Sequence, residues 1–152
     1  MTQWLSAAQQ QSWRAWLSAS TLLPEALGRD LQCESGLTLP DYEILVRLSE
    51  SPDRRIRMSD LAERTLASRS RLSHQVDRME KAGLVSRESC ADDRRGSFAV
   101  LTDKGWEILV AAAPAHVNSV RTHLVDVLSP EEFEALGRMC AKVNEHLQTL
   151  SH

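Results

Sequence analysis

A chain of 152 residues can bury a sizeable apolar core and needs neither disulfides nor a metal to fold. Hydrophobic residues make up 42% and charged residues 26%, which excludes a disordered acidic chain, and no apolar run approaches the roughly 20 residues of a membrane span. The net charge of −3 hides a segregation: residues 54–95 hold 11 Lys and Arg against 7 Asp and Glu, net +4, while the remainder holds 7 against 14, net −7. A basic middle between acidic ends points to a polyanion that the middle meets and the ends do not.

In chain order, residues from about Thr2 to Leu31 carry apolar positions at helical spacing, among them Leu5, Trp13, Trp16, Leu17, Leu23 and Leu27. Pro24 should kink or restart this helix, and Gly36 breaks it. Leu39-Pro40-Asp41 reads as a helix start, with proline in the first turn and an acid opposing the dipole. That helix stops before Pro52. Ile56-Arg57-Met58 reads as a short strand, and Ser59 as the cap of a short helix over 60–66. Ser68 caps the next helix, 69–82, which Gly83 ends. Residues 84–88 and 97–101 read as strands joined by a long charged loop that ends in Gly96, a hairpin. Thr102 opens a mostly helical stretch, 103–128, with a kink at Pro114. Ser129-Pro130-Glu131-Glu132 starts the last helix, to about Leu150. The centre is therefore helix, turn, helix, hairpin, flanked by long helices.

The helix over 69–82 divides by angle. With Leu72 at zero and about 100° per residue, Val76 falls near 40° and Met79 near 340°, one apolar stripe. Ser70, Arg71, His74 and Arg78 fall between about 160° and 260°, opposite that stripe, with Ser73 and Gln75 on the flanks. The stripe should pack on the preceding helix through Leu61 and Leu66. Arginine can take guanine O6 and N7 with two parallel bonds, and Gln75 could pair with adenine. Ser68 and the free N–H groups beside it can hold a phosphate. Arg94 and Arg95 sit at the hairpin tip, where an arginine can enter the narrow minor groove, and Asp93 can orient Arg95 by a charge-assisted bond.

These residues resemble the MarR family of bacterial transcriptional regulators. The segments that carry the resemblance run from Met58 to Arg64, from Val76 to Val85, through Asp93-Arg94-Arg95-Gly96, and through Leu101-Thr102-Asp103-Lys104-Gly105. The family's wing pattern of acid, any residue, arginine is met by Asp93, Arg94 and Arg95, and its Leu-Thr-x-x-Gly by Leu101, Thr102 and Gly105. The fold expected is mainly α with a small β-hairpin wing. Residues 1–38 and 103–152 supply dimerisation helices, and residues 39–102 form a winged helix-turn-helix lobe. The resemblance implies a homodimer on a pseudo-palindromic double-stranded operator, often released by a ligand or oxidant. The apolar run Ile108 to Ala113 and the cluster Leu124, Val125, Val127 and Leu128 exceed what a small winged helix can cover, which suits a two-fold dimer.

Ligand sites in this family lie between the DNA-binding lobe and the dimer helices. Trp13, Trp16, Tyr42 and Met58 could line such a space, whose aromatic walls would suit a small aromatic or phenolic effector. Core packing is the competing account of each. A thiol switch needs an accessible thiolate near positive charge, and Cys90, close in sequence to Arg87, Arg94 and Arg95, is one candidate; Cys33 is the other. Cys140 reads as a buried helix residue. Three scattered cysteines form no disulfide framework and fit a reducing cytoplasm, and the N-terminal stretch lacks the pattern of a secretory signal. His116 and His123 have no second short-spaced ligand, so no metal is expected, no cofactor motif is present, and no catalytic constellation stands out. The expectation is a cytoplasmic DNA-binding repressor. Its rivals are an oxidant-sensing regulator using Cys90 or Cys33, and a winged-helix protein dock without DNA; the segregated arginines favour DNA over a dock.

Overall fold

A computed structural model describes residues 1–65, 67–91 and 96–150. Six α-helices and three strands follow in the order α1 (Ala7–Ser35), α2 (Leu39–Ser49), β1 (Arg55–Arg57), α3 (Met58–Thr65), α4 (Arg69–Lys81), β2 (Val85–Ser89), β3 (Ser97–Leu101), α5 (Asp103–His123) and α6 (Pro130–Thr149). Short 3₁₀ turns cover Pro52–Arg54 and Val125–Val127.

The helix ends follow from local chemistry. Thr38 Oγ1 accepts the Asp41 N–H at the start of α2, and Ser68 Oγ accepts that of Arg71 at the start of α4. Ser129 and Glu132 form a reciprocal capping box on α6. At the end of α4 the Gly83 N–H donates to the Glu80 carbonyl and the Leu84 N–H to that of Met79. This Schellman closure needs the left-handed φ of +78° that Gly83 adopts.

β3 is the central strand of an antiparallel sheet of order β1-β3-β2. The hairpin β2–β3 thus gains β1 on its other edge, with Ile56 opposite Ala99 and Arg87 opposite Ala99. Behind the sheet, Leu45, Leu48, Leu61, Leu72, Val76 and Val85 are essentially solvent-free. The Leu-Thr-x-x-Gly motif closes this core. Thr102 Oγ1 donates to the Gly83 carbonyl at 2.6 Å and accepts the Gly105 N–H. A Cβ on Gly105 would collide with the Leu84 carbonyl oxygen, so only glycine lets α5 lie that close.

Several expectations change. Pro24 lies inside α1, which does not restart there, and Pro114 lies inside α5. An interior proline costs about 3 kcal/mol, but Leu23, Leu27 and Leu31 keep one stripe across Pro24, and packing outweighs propensity. α3 begins at Met58, directly from β1, so Ser59 lies inside it instead of capping it. α5 stops at His123, before the turn at Val125–Val127. Leu66, expected in the α3–α4 contact, lies outside the described residues.

The chain forms two compact units, Gly28–His116 and the pair of segments Met1–Leu27 with Val117–His152. Both boundaries fall inside helices, α1 and α5.

Candidate nucleic-acid interface

α4 is an amphipathic helix whose two faces have separate tasks. Leu72, Val76 and Met79 are buried, as their angles predict, while Ser70, Arg71, His74 and Arg78 are exposed. Four other arginines of the lobe are engaged: Arg47 pairs with Glu43, Arg54 with Asp103, Arg55 with Glu88 and Arg87 with Asp77. Among the described residues no acidic side chain pairs with Arg71 or Arg78. The outer face of α4 therefore presents uncompensated positive charge and hydrogen-bond donors.

The flanks of α4 are tied down. Gln75 is only 8% exposed, and its Nε2 donates to Asp41 Oδ1 of α2 at 3.0 Å. This corrects the reading of Gln75 as an adenine-pairing residue, because its amide is committed to holding α4 against α2. Ser73 is half-buried, and its carbonyl and Oγ both accept from Arg87 Nη2. Ser68 is exposed while its hydroxyl oxygen caps the helix.

Two open grooves run beside α4. One, of about 650 Å³, lies toward α2 and takes Thr38, Glu43, Arg71, His74 and Arg78 into its walls. The other, of about 460 Å³, lies toward the sheet and is walled by Arg57, Arg69, Ser73, Arg87 and Cys90. A helix standing between two basic grooves matches the shape of a major groove bounded by two phosphate strands. On the solvent face of the sheet the Arg55 guanidinium lies 4.0 Å from the centre of the Phe98 ring, and that of Arg57 lies 5.5 Å away. Asp93, Arg94 and Arg95, read as the wing tip, lie outside the described residues.

The residues read as a ligand set are divided between the two units. Trp13 and Trp16 belong to the terminal unit and are each half exposed, whereas Tyr42 is buried in the lobe with its ring 4.4 Å from that of His116. Met58 packs beside the lobe core and lines the sheet-side groove. Burial raises the Tyr42 hydroxyl above its ordinary pKa and lowers the His116 imidazole. Cys90 is 6% exposed and its N–H donates to the Gly96 carbonyl at the base of the wing, so it lacks the accessibility that a reactive thiol needs. Cys33 is exposed on α1, and Cys140, expected to be buried, is partly exposed. Among the described residues no three His, Cys, Asp or Glu side chains gather as a metal site, and no helix is long and apolar enough to cross a membrane.

Sequence reasoning passed over Arg87 and Asp41 as members of this interface. The one available signal was an arginine in the middle of a strand that otherwise reads as half-buried, which needs a polar partner on the inner face.

Comparison with known proteins agrees with this geometry. A family model described as "MarR family" matches residues 35–96. The transcriptional regulator HosA of Escherichia coli O157:H7 is 35% identical over 107 residues, 70% of this chain and 77% of that protein. The crystal structure of AbsC, a MarR family transcriptional regulator from Streptomyces coelicolor, shares 52% identity and a TM-score of 0.93, covering 97% of this chain and 99% of that one. Sco3205, another MarR family regulator from that organism, crystallised in complex with DNA, shares 47% identity and a TM-score of 0.93 over 96% of this chain and 92% of its own.

Proposed function

The chain belongs to the MarR family of DNA-binding transcriptional regulators, and on that premise we propose that it acts as a homodimeric cytoplasmic repressor on a pseudo-palindromic operator. In each protomer α4 enters the major groove. Arg71 and Arg78 read base edges, with Ser70 and His74 beside them. Ser68 and the N-terminal N–H groups of α4 take a phosphate. Arg95, oriented by Asp93, enters the adjacent minor groove next to Arg94. The single observation behind this reading is the exposed outer face of α4, where Arg71 and Arg78 have no acidic partner among the described residues. The similarity to Sco3205, solved with DNA, supports it. The family is one of regulators, and the same reading assigns this chain no catalytic step. Release by a small aromatic or phenolic effector is part of the proposal.

Selection of duplexes from a random pool tests it. The protein should enrich an inverted repeat with half-site centres about one helical turn apart. Arg71→Ala should relax base preference at one position per half-site and cost about 1–3 kcal/mol on the selected duplex. Arg95→Ala should weaken all duplexes alike and lower the salt slope by about one. Equal losses for Arg71→Ala on selected and random DNA would refute base reading. Failure to retain any duplex in dilute salt would leave the protein-dock reading in its place. Phenolic carboxylates titrated into the bound complex should release the DNA; a complex indifferent to them removes the effector from the proposal.

A further inference from the structure

The deepest contact between wing and helix is a single arginine, and its geometry extends the DNA-binding reading. Arg87 sits in a cross-strand row with Ala99 and Ile56, both buried. A guanidinium in an apolar row must find partners nearby. It finds them on α4: Nη2 donates to the Ser73 carbonyl at 2.8 Å and to Ser73 Oγ at 3.1 Å, and lies 2.9 Å from Asp77 Oδ1. The Arg87 backbone N–H donates to Glu80 Oε2 at 2.8 Å. Residues 73, 77 and 80 share one side of α4, so one residue of β2 is gripped along two turns of the helix. That side adjoins the outer face: Ser73 precedes His74, and Asp77 precedes Arg78.

We propose that Arg87 is a positioning residue that fixes the wing against α4, so that both reach the duplex in one register. The proposal rests on the DNA-binding reading above. Three observations favour positioning over plain stabilisation. The Arg87 and Asp77 side chains are 28% and 50% exposed, so their ion pair is screened and contributes little to folding. Leu72, Val76 and Met79 already fix α4 to the core. Among the described residues the guanidinium is held through Nη2 and its Nε is buried without a partner, a cost that a shorter polar side chain would avoid. What arginine supplies here is reach from strand to helix. On the opposite flank Gln75 and Asp41 make the matching tie, so α4 is held from both sides and only its outer face is free.

The test compares Asp77→Asn, Arg87→Gln and their double variant, using fluorescence anisotropy on a duplex selected by the wild-type protein, across a salt series, beside thermal unfolding. By charge alone, removing the Asp77 carboxylate near a polyanion tightens binding. Positioning demands the reverse: Asp77→Asn weakens the selected duplex by about tenfold, the lower end of what one misplaced base-edge contact does. Arg87→Gln does the same, the double variant is no worse than either single one, and the salt slope stays that of the wild type. Unfolding temperatures stay close to wild type. Asp77→Asn binding as tightly as wild type or tighter overturns the proposal. So does a salt slope reduced by about one in Arg87→Gln, which makes Arg87 a phosphate contact, or a fall in unfolding temperature that tracks the lost affinity. If the wild type selects no duplex, the underlying reading falls as well; if it does and the variants match it, this proposal alone falls.

Discussion

The unit Gly28–His116 and the unit formed by the chain's two ends are built to different degrees of completion. The lobe hides nearly every large apolar side chain it has, with Leu45, Leu48, Leu61 and Val76 fully enclosed; its large exposed ones are Trp106 and Val110. The terminal unit does the opposite. Trp4, Trp13, Trp16 and Leu17 on the N-terminal side, and Met139, Val143, Leu147 and Leu150 on the C-terminal side, are about half exposed or more. Met139, Val143, Leu147 and Leu150 recur at helical spacing, an exposed apolar stripe on one face of α6 and its end. A monomer rarely leaves so much apolar area wet. The difference separates an enclosed unit from one whose apolar surface is left open, which is where the second copy of the proposed homodimer would pack.

The largest expected effect attacks that contrast directly. Val143→Asp puts a charge in the α6 stripe and should turn a dimer into a monomer in sedimentation. Operator affinity should fall by about 10²–10⁴-fold as two linked half-site contacts become one. A variant that stays dimeric and binds normally would show that the stripe is not the missing contact. Next in size is Gly105→Ala in the closed unit. The new methyl meets the Leu84 carbonyl, and forcing α5 away should cost about 3 kcal/mol in denaturant unfolding. An unchanged midpoint would mean that the Leu-Thr-x-x-Gly closure tolerates a wider gap than the packing suggests.

The smallest effect is a pH dependence confined to the lobe. His116 has its Nδ1 buried without a hydrogen-bond partner and its pKa lowered by burial. The unfolded chain therefore takes up a proton at higher pH than the folded one. The stability that His116 contributes is intact above the ordinary imidazole pKa and is lost as pH falls below it. Urea midpoints should decline between about pH 7.5 and about pH 5.5, and His116→Gln should flatten that decline. Equal slopes in both proteins would assign the titration elsewhere.

What could be read from the sequence was whatever local spacing encodes. The caps Ser68 and Ser129, the terminator Gly83, and the stripe of Leu72, Val76 and Met79 each depend on neighbours within a few positions, and each is found where the spacing puts it. A restart at Pro24 did not follow, because a proline's local cost is visible in the sequence while the packing that offsets it is not. Gln75 was misread and Arg87 passed over for the same reason on a longer scale. The Gln75 partner lies 34 residues upstream and those of Arg87 up to 14 upstream, so no helical wheel could show that one amide was already committed and one guanidinium was a strut. The outer face of α4 was legible because exposure leaves it without long-range partners. The proposed contacts of Arg94 and Arg95 rest on the motif alone.

The strand order β1-β3-β2 carries a consequence for biosynthesis. The middle strand is the last of the three to be translated. While the ribosome is still making the chain, β1 and β2 emerge with no strand between them to accept their hydrogen bonds. Pairing across so long an interval must wait for Leu101 to clear the exit tunnel. Until then β1 and β2 keep unpaired backbone groups, and the sheet that carries Arg87 cannot close.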